Sequence, residues 1–218
     1  MATIIIPRRH LSQPQGRLVL AEQWQDLDLG WLHYAPMGRS AAIGAAGAIP
    51  SSRVISPCAD GLGYRYVAGG GGDDVTLPAF GSTNLATFFF AVVLNSGVPW
   101  APPFYARSGV NGPVFGTGGT EFRYVWDGSE WSYETGLIAT VGALTIGAYT
   151  IRPDRVDIAL NGKTHTREVS NSARSFSAVK MGQDTQEPAR TLDGHVLLAG
   201  IVTNAAAWGL ERLRAFTE

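Results

Sequence analysis

A chain of 218 residues with 45% hydrophobic and 16% charged side chains holds enough apolar material for a sizeable core and too little charge for a disordered protein. Its formal net charge of -1 excludes a general attraction to nucleic acid or to an anionic membrane surface. Its one cysteine, Cys58, excludes an internal disulfide and a cysteine-based zinc cluster, which fits assembly in a reducing cytoplasm.

The chain opens MATIIIPRRHLSQPQGR. Ile4-Ile5-Ile6 is too short for the core of a secretory signal, and Arg8 and Arg9 follow the apolar part instead of preceding it. Pro7 and Pro14 interrupt any strand here, so the stretch reads as an extended arm with few local hydrogen-bond partners. A tryptophan-rich packing segment follows, with Trp24, Leu27, Leu29, Trp31 and Leu32, and then the small-residue connector GRSAAIGAAGAIPSS. We therefore expect residues 1–52 to form arm, packing segment and linker, and residues 53–218 to form one β-sandwich.

From residue 53 onward, short β-rich runs recur between Gly, Asp, Asn and Pro. RVISP, GYRYVA, DVTLP, TFFFAVVL, EFRYVWD, EWSYET, LTIGAYTI, RVDIALNG, KTHTREV, SAVKMGQ and GHVLLAGIVTN all read as strands. That spacing predicts an all-β sandwich or barrel. The longest apolar run, LATFFFAVVL at 85–94, has the length of a buried strand and falls well short of the roughly 20 residues of a membrane helix. Asp127-Gly128 and Asn161-Gly162 supply the positive φ angles of tight hairpin turns. In VDIALNG, Val156, Ile158 and Leu160 alternate with Asp157 and Ala159, which predicts one buried face and one facing water or a loop. The last stretch, WGLERLRAFTE, predicts a short helix with Leu210, Leu213 and Phe216 on one face, which needs docking to be stable.

The ordered set of motifs resembles laminin-G-like, concanavalin-A-type jelly rolls over residues 57–218. DGLGYRYVAGGGGDDVTLP is similar to the first strands of that family, and TFFFAVVL to its central apolar strand. RVDIALNGKTHT is similar to its middle hairpin, and VKMGQDTQEPARTLDGHVLLAGIVTNAAAW to its ending. The arm, Ile6-Pro7-Arg8-Arg9 through Gln13-Pro14-Gln15-Gly16, followed by a tryptophan segment, resembles structural proteins of tailed bacteriophages. Those proteins tend to close on a tail of which Glu211, Arg214, Ala215 and Phe216 are present here and an Asn-Pro-Trp is not.

The resemblance implies an all-β concanavalin-A-like (laminin-G-like) jelly-roll sandwich with an extended N-terminal arm and a short C-terminal helix. It implies a non-enzymatic virion protein, a capsid or tail decoration or cement subunit assembled in the bacterial host cytoplasm. Its partners would be other virion proteins, further copies of itself, and no nucleic acid or membrane. In that setting Ile4, Ile6, Pro7, Arg8, Arg9, Gln13, Pro14 and Gln15 would anchor the arm as an added strand on a neighbouring sheet edge. The alternative is an arm folded onto its own sandwich, with Ile4 and Ile6 facing the core.

Other chemistry is sparse. Glycoside hydrolases of this broader fold need two carboxylates roughly 5–5.5 Å apart when they retain configuration. Glu130 and Glu134 would stand about 13 Å apart on an extended strand, and a turn separates Asp127 from them. His10, His33, His165 and His195 have no G-x-S-x-G elbow and no metal-ligand spacing; His165 reads as a surface residue and His195 as one at a sheet edge. AGGGGDDV offers Asp73 and Asp74, with Asp184 in a later loop, as a weak calcium site, against a plain glycine turn ending in two solvated acids. Aromatics give the ligand signal: Phe122, Tyr124 and Trp126 on one strand face, Trp131 and Tyr133 on the next. Core packing accounts for at least half of them. Trp100, among the prolines of VPWAPPFY, sits on a rigid loop suited to an outside contact. Trp100, Trp126, Trp131 and Tyr133 are thus candidates for a partner protein or, in a lectin-like alternative, for a host-surface glycan.

Overall fold

The run ATFFFAVVL becomes a strand buried along its whole length. The computed structural model describes residues 29–34, 41–43, 53–59, 61–76, 82–106, 112–125, 134–175, 178–184, 187, 189–203 and 207–218. In chain order these hold β1 (Leu29–Tyr34), β2 (Ala41–Ile43), β3 (Ile55–Cys58), β4 (Gly61–Tyr66), β5 (Asp73–Thr76), β6 (Ala86–Leu94), β7 (Phe104–Ala106) and β8 (Gly112–Phe115). They continue with β9 (Phe122–Val125), β10 (Leu144–Ile151), β11 (Arg155–Leu160), β12 (Lys163–Glu168), β13 (Ala178–Met181), β14 (Gly194–Thr203) and a helix α1 (Leu210–Thr217). The predicted strands form with one exception: of EWSYET, residues 130–133 lie outside the described residues, as does the Asp127-Gly128 turn, and Glu134 and Thr135 are in no strand.

The large sheet runs β12-β11-β10-β6-β14-β1-β2 in antiparallel pairs. On the side away from β6, β14 has two partners. Its first residues pair with β4, which carries β3, and its later ones pair with β1. The ladder shifts register between Val196 and Leu198, where one partner gives way to the other. β1 and β2 thus come from the stretch read as packing segment and connector, and they complete the same sheet as the later strands. The second layer holds the ladder β5-β13-β7 and the pair β8-β9. β8 runs close beside β7, since a Cβ on Gly112 would stand 2.8 Å from the Phe104 carbonyl oxygen.

β6 is buried at every position and apolar at all but Thr87, because both of its faces are covered; the Thr87 hydroxyl is satisfied by Thr150 and by the Trp208 backbone N–H. Phe88 and Phe90 point between the layers. Phe88 stacks on Tyr149 at 4.9 Å, and Phe90 meets Phe122 edge-on at 5.2 Å. Phe89 points the other way, onto Trp208 at 5.1 Å and Phe216 at 5.5 Å. Each fully buried ring contributes on the order of 2–3 kcal/mol by area alone.

α1 covers that outer face through Leu213 and Phe216, as its spacing predicts, while Leu210 is half-buried. The helix corrects the expectation for β11. The face carrying Asp157 and Ala159 does not meet water, because α1 and the flanking chain bury it. Asp157, 3% exposed, accepts hydrogen bonds from Arg152, Arg155 and Thr166. The Asn161-Gly162 turn forms as expected, with φ of 47 and 78.

Candidate functional site

Alternation along the second layer turns one set of side chains into the core and another outward. Phe104, Phe115, Phe122 and Tyr124 go inward. Their neighbours Tyr105, Val114, Glu121 and Arg123 face the other way, and Asp74, Lys180 and Tyr105 line up in register across β5, β13 and β7. Trp100 closes over this outer face and packs on Tyr105 and Val114.

Trp100 lies on the loop between β6 and β7. Its φ is 61, a left-handed conformation that is a real outlier for a bulky side chain. Its N–H donates to the Phe115 carbonyl at 2.6 Å. The loop is pinned by glycines on both sides: a Cβ on Gly97 would stand 2.9 Å from the Gly118 carbonyl, and one on Gly119 would strike the Gly97 backbone. Only two glycines let these loops meet backbone to backbone.

The guanidinium of Arg123 sits 5.3 Å from the centroid of the Trp100 ring. It lies across Gly116, whose missing side chain makes the room. Its Nε and Nη2 donate to Glu121 Oε2 at 2.9 and 2.6 Å, and Nη2 donates to Glu134 Oε1 at 3.1 Å. Glu121 Oε1 also accepts the N–H groups of Thr135 and Gly136, both at 3.1 Å. Burial would push the Glu121 carboxyl up, but the bonds from Arg123 and the two backbone N–H groups outweigh it and hold it below the usual carboxylate range. Beside them, burial raises the Tyr105 phenol, with Asp184 adding to the effect and Arg190 opposing it. The result is a half-buried aromatic ring held beside two carboxylates, whose oxygens can accept from hydroxyls.

Of the ligand candidates, Trp100 is therefore at this site. Trp126 directly follows β9 in sequence, but Trp126, Trp131 and Tyr133 lie outside the described residues. So do the arm residues Ile4, Ile6, Pro7, Arg8, Arg9, Gln13, Pro14 and Gln15. Sequence reading missed Arg123 and Glu121 as site residues. Their signal was present, as the polar half of the alternation in EFRYV.

The calcium candidates each face a cation. Asp73 is only 7% exposed and is not the solvated acid of a plain glycine turn. Arg53 grips it through two bonds of 2.7 and 2.8 Å, and the Tyr66 hydroxyl donates to it at 2.8 Å. Asp184 accepts from Arg190 at 3.0 Å, and Asp74 lies 3.9 Å from the Lys180 ammonium. Among the described residues, no three His, Cys, Asp or Glu side chains gather as a metal site.

His195 is not at a sheet edge. It is 6% exposed on β14, between β6 and β4, because β4 covers that end of the strand. Its Nε2 is 3.0 Å from Ser56 Oγ, while its buried Nδ1 has no partner among the described residues, so no acid completes a triad there. His165 is half-buried on the edge strand β12.

No protein-family model matches the chain, and no curated protein matches it in sequence. Solved structures do. Domain 4 of AbnA, a GH43 extracellular arabinanase from Geobacillus stearothermophilus, in complex with arabinotriose, superposes with a TM-score of 0.57 and 15% identity, over 78% of this chain and 82% of that one. The binding domain of botulinum neurotoxin serotype G gives a TM-score of 0.62 at 10% identity, over 88% of this chain and 50% of that one. Trypanosoma rangeli sialidase in complex with sialic acid gives 0.56 at 12% identity, over 87% of this chain and 32% of that one. The chain spans about half the length of the toxin domain and about a third of the sialidase. Antiparallel sheets in two layers, a short C-terminal helix and these likenesses together make the fold an all-β, concanavalin-A-like jelly-roll sandwich.

Proposed function

We propose that this protein is a non-catalytic, lectin-like module that binds carbohydrate on the outer face of its second layer, with Trp100 as the stacking residue. The observation that carries the reading is Trp100 itself, a large ring held at φ 61 by Phe115, two facing glycine loops and Arg123. Backbone strain of this kind costs on the order of 1–3 kcal/mol and collects at ligand-holding sites. The arabinotriose named for the arabinanase domain, of which this chain covers 82%, supports a sugar ligand on this fold. In this reading Glu121, held below its ordinary range by Arg123 and two backbone N–H groups, serves as an acceptor and not as a general acid. The site uses no metal in this reading, since Asp73, Asp74 and Asp184 already face Arg53, Lys180 and Arg190.

A second reading is compatible with the first. The motif Ile6-Pro7-Arg8-Arg9 to Gln13-Pro14-Gln15-Gly16 supports a virion structural role, in which the arm anchors the chain to capsid or tail subunits and the sandwich faces the host. A glycan array probed with the wild type and with Trp100→Ala tests the lectin reading: binding lost in the variant is expected, and binding unchanged refutes the site. Mass spectrometry of density-gradient fractions tests the virion reading. The full chain is expected to band with particles, and a variant lacking residues 1–16 to stay soluble and folded. Normal incorporation of the shortened chain refutes the anchoring arm.

A further inference from the structure

The charges around Trp100 discriminate between classes of sugar, and we infer that the ligand of this face is an uncharged, hydroxyl-rich glycan rather than a sialylated or uronic one. The inference rests on the carbohydrate reading above. A sugar carboxylate is recognised by an arginine or lysine that can turn its donors to it. On this face each described base is already committed to an acid. Arg123 spends Nε and Nη2 on Glu121 and Glu134, Arg190 donates to Asp184, and Lys180 stands by Asp74.

Among the described residues the balance next to the ring is negative, because the two carboxylates Glu121 and Glu134 share the guanidinium of Arg123. Glu134 is the outward member of the group, with its side chain 79% exposed against 10% for Arg123, so an acidic sugar stacked on Trp100 would meet this like charge before the Arg123 guanidinium. The same arrangement suits a neutral sugar. A carboxylate has about four acceptor sites. Arg123 takes one at Glu134, so hydroxyls can donate charge-assisted bonds to this acid while C–H groups lie on the indole.

The test is a printed array carrying matched sialylated and asialo chains, together with neutral arabinan and galactan oligosaccharides. Solution titration of the strongest asialo ligand and its sialylated partner would follow. Uncharged chains are expected to bind at least about tenfold more tightly than their sialylated partners. The Glu134→Gln variant is expected to narrow that gap severalfold while keeping the fold. Sialylated chains that bind as well as or better than their asialo partners would overturn the inference and leave the carbohydrate reading standing. So would a gap that Glu134→Gln leaves unchanged. Absence of binding to every chain on the array would overturn the carbohydrate reading, and this inference with it.

Discussion

Replacing Trp100 by glycine is expected to damage the protein less than replacing it by alanine, the reverse of the usual order. Both substitutions remove the indole from Tyr105, Val114 and Arg123. For a half-buried ring the lost burial is about 1–2 kcal/mol, and the lost cation–π contact adds about 0.5–1 kcal/mol. Alanine keeps the left-handed penalty that the φ of 61 imposes, about 1–2 kcal/mol. Glycine relieves it and gives back part of the gain as extra chain entropy in the unfolded state, about 0.5–1 kcal/mol. Trp100→Ala should therefore cost roughly 2–3 kcal/mol, and Trp100→Gly about 1 kcal/mol less. For a chain of this size that separates the two variants by about 2–4 °C in Tm. Urea titration and thermal melts followed by circular dichroism would measure both, and both variants should lose glycan binding. An alanine variant as stable as the glycine variant, or more so, would show that the loop does not hold Trp100 in this conformation.

Three other substitutions probe the fold and its titration. Burial and the neighbouring Arg65 lower the His195 pKa, with Asp193 opposing them, so the folded protein favours the neutral ring. The unfolded chain then takes up the proton first. The contribution is complete above the ordinary imidazole value of about 6.5 and is lost as pH falls from there through the lowered folded value. His195→Gln should remove this dependence, so the Tm advantage of the wild type should shrink between about pH 8 and about pH 5; an advantage that grows over that range would reverse the sign argued here. Phe216→Ala withdraws the ring that α1 presses against Phe89 and Trp208 and should cost about 3–4 kcal/mol with a red-shifted tryptophan emission; a loss below about 1 kcal/mol would mean that α1 is not docked there. In Gly200→Ala the new Cβ runs into the Phe89 ring, which should cost about 1–3 kcal/mol in urea titrations; a neutral result would show that the ring has room to move.

Signals that act over a few residues were legible in the chain. Asn161-Gly162 carries its own turn, ATFFFAVVL its own burial on two faces, and WGLERLRAFTE its own helical face, so the strands after residue 53 and the final helix could be placed. Trp100 stood out among its prolines for the same reason. β7 and β8 were not read as strands: β7 has three residues after a proline-rich loop, β8 opens on Gly112-Pro113, and their place depends on β13 and β9. What lay beyond sequence was every decision made by a distant partner. β1 finds β14 about 170 positions away, β4 caps the start of β14 and turns His195 into an interior residue, and α1 folds back to bury the polar side of β11. The site belongs to the same class. Alternation in EFRYV could assign Glu121 and Arg123 to the outward face, but only the docking of the 95–103 loop on β8 and β9 brings an indole onto that guanidinium. Turn chemistry and side-chain alternation are written locally in the chain, whereas a charge or a ring acquires its role from whichever strand the fold sets beside it.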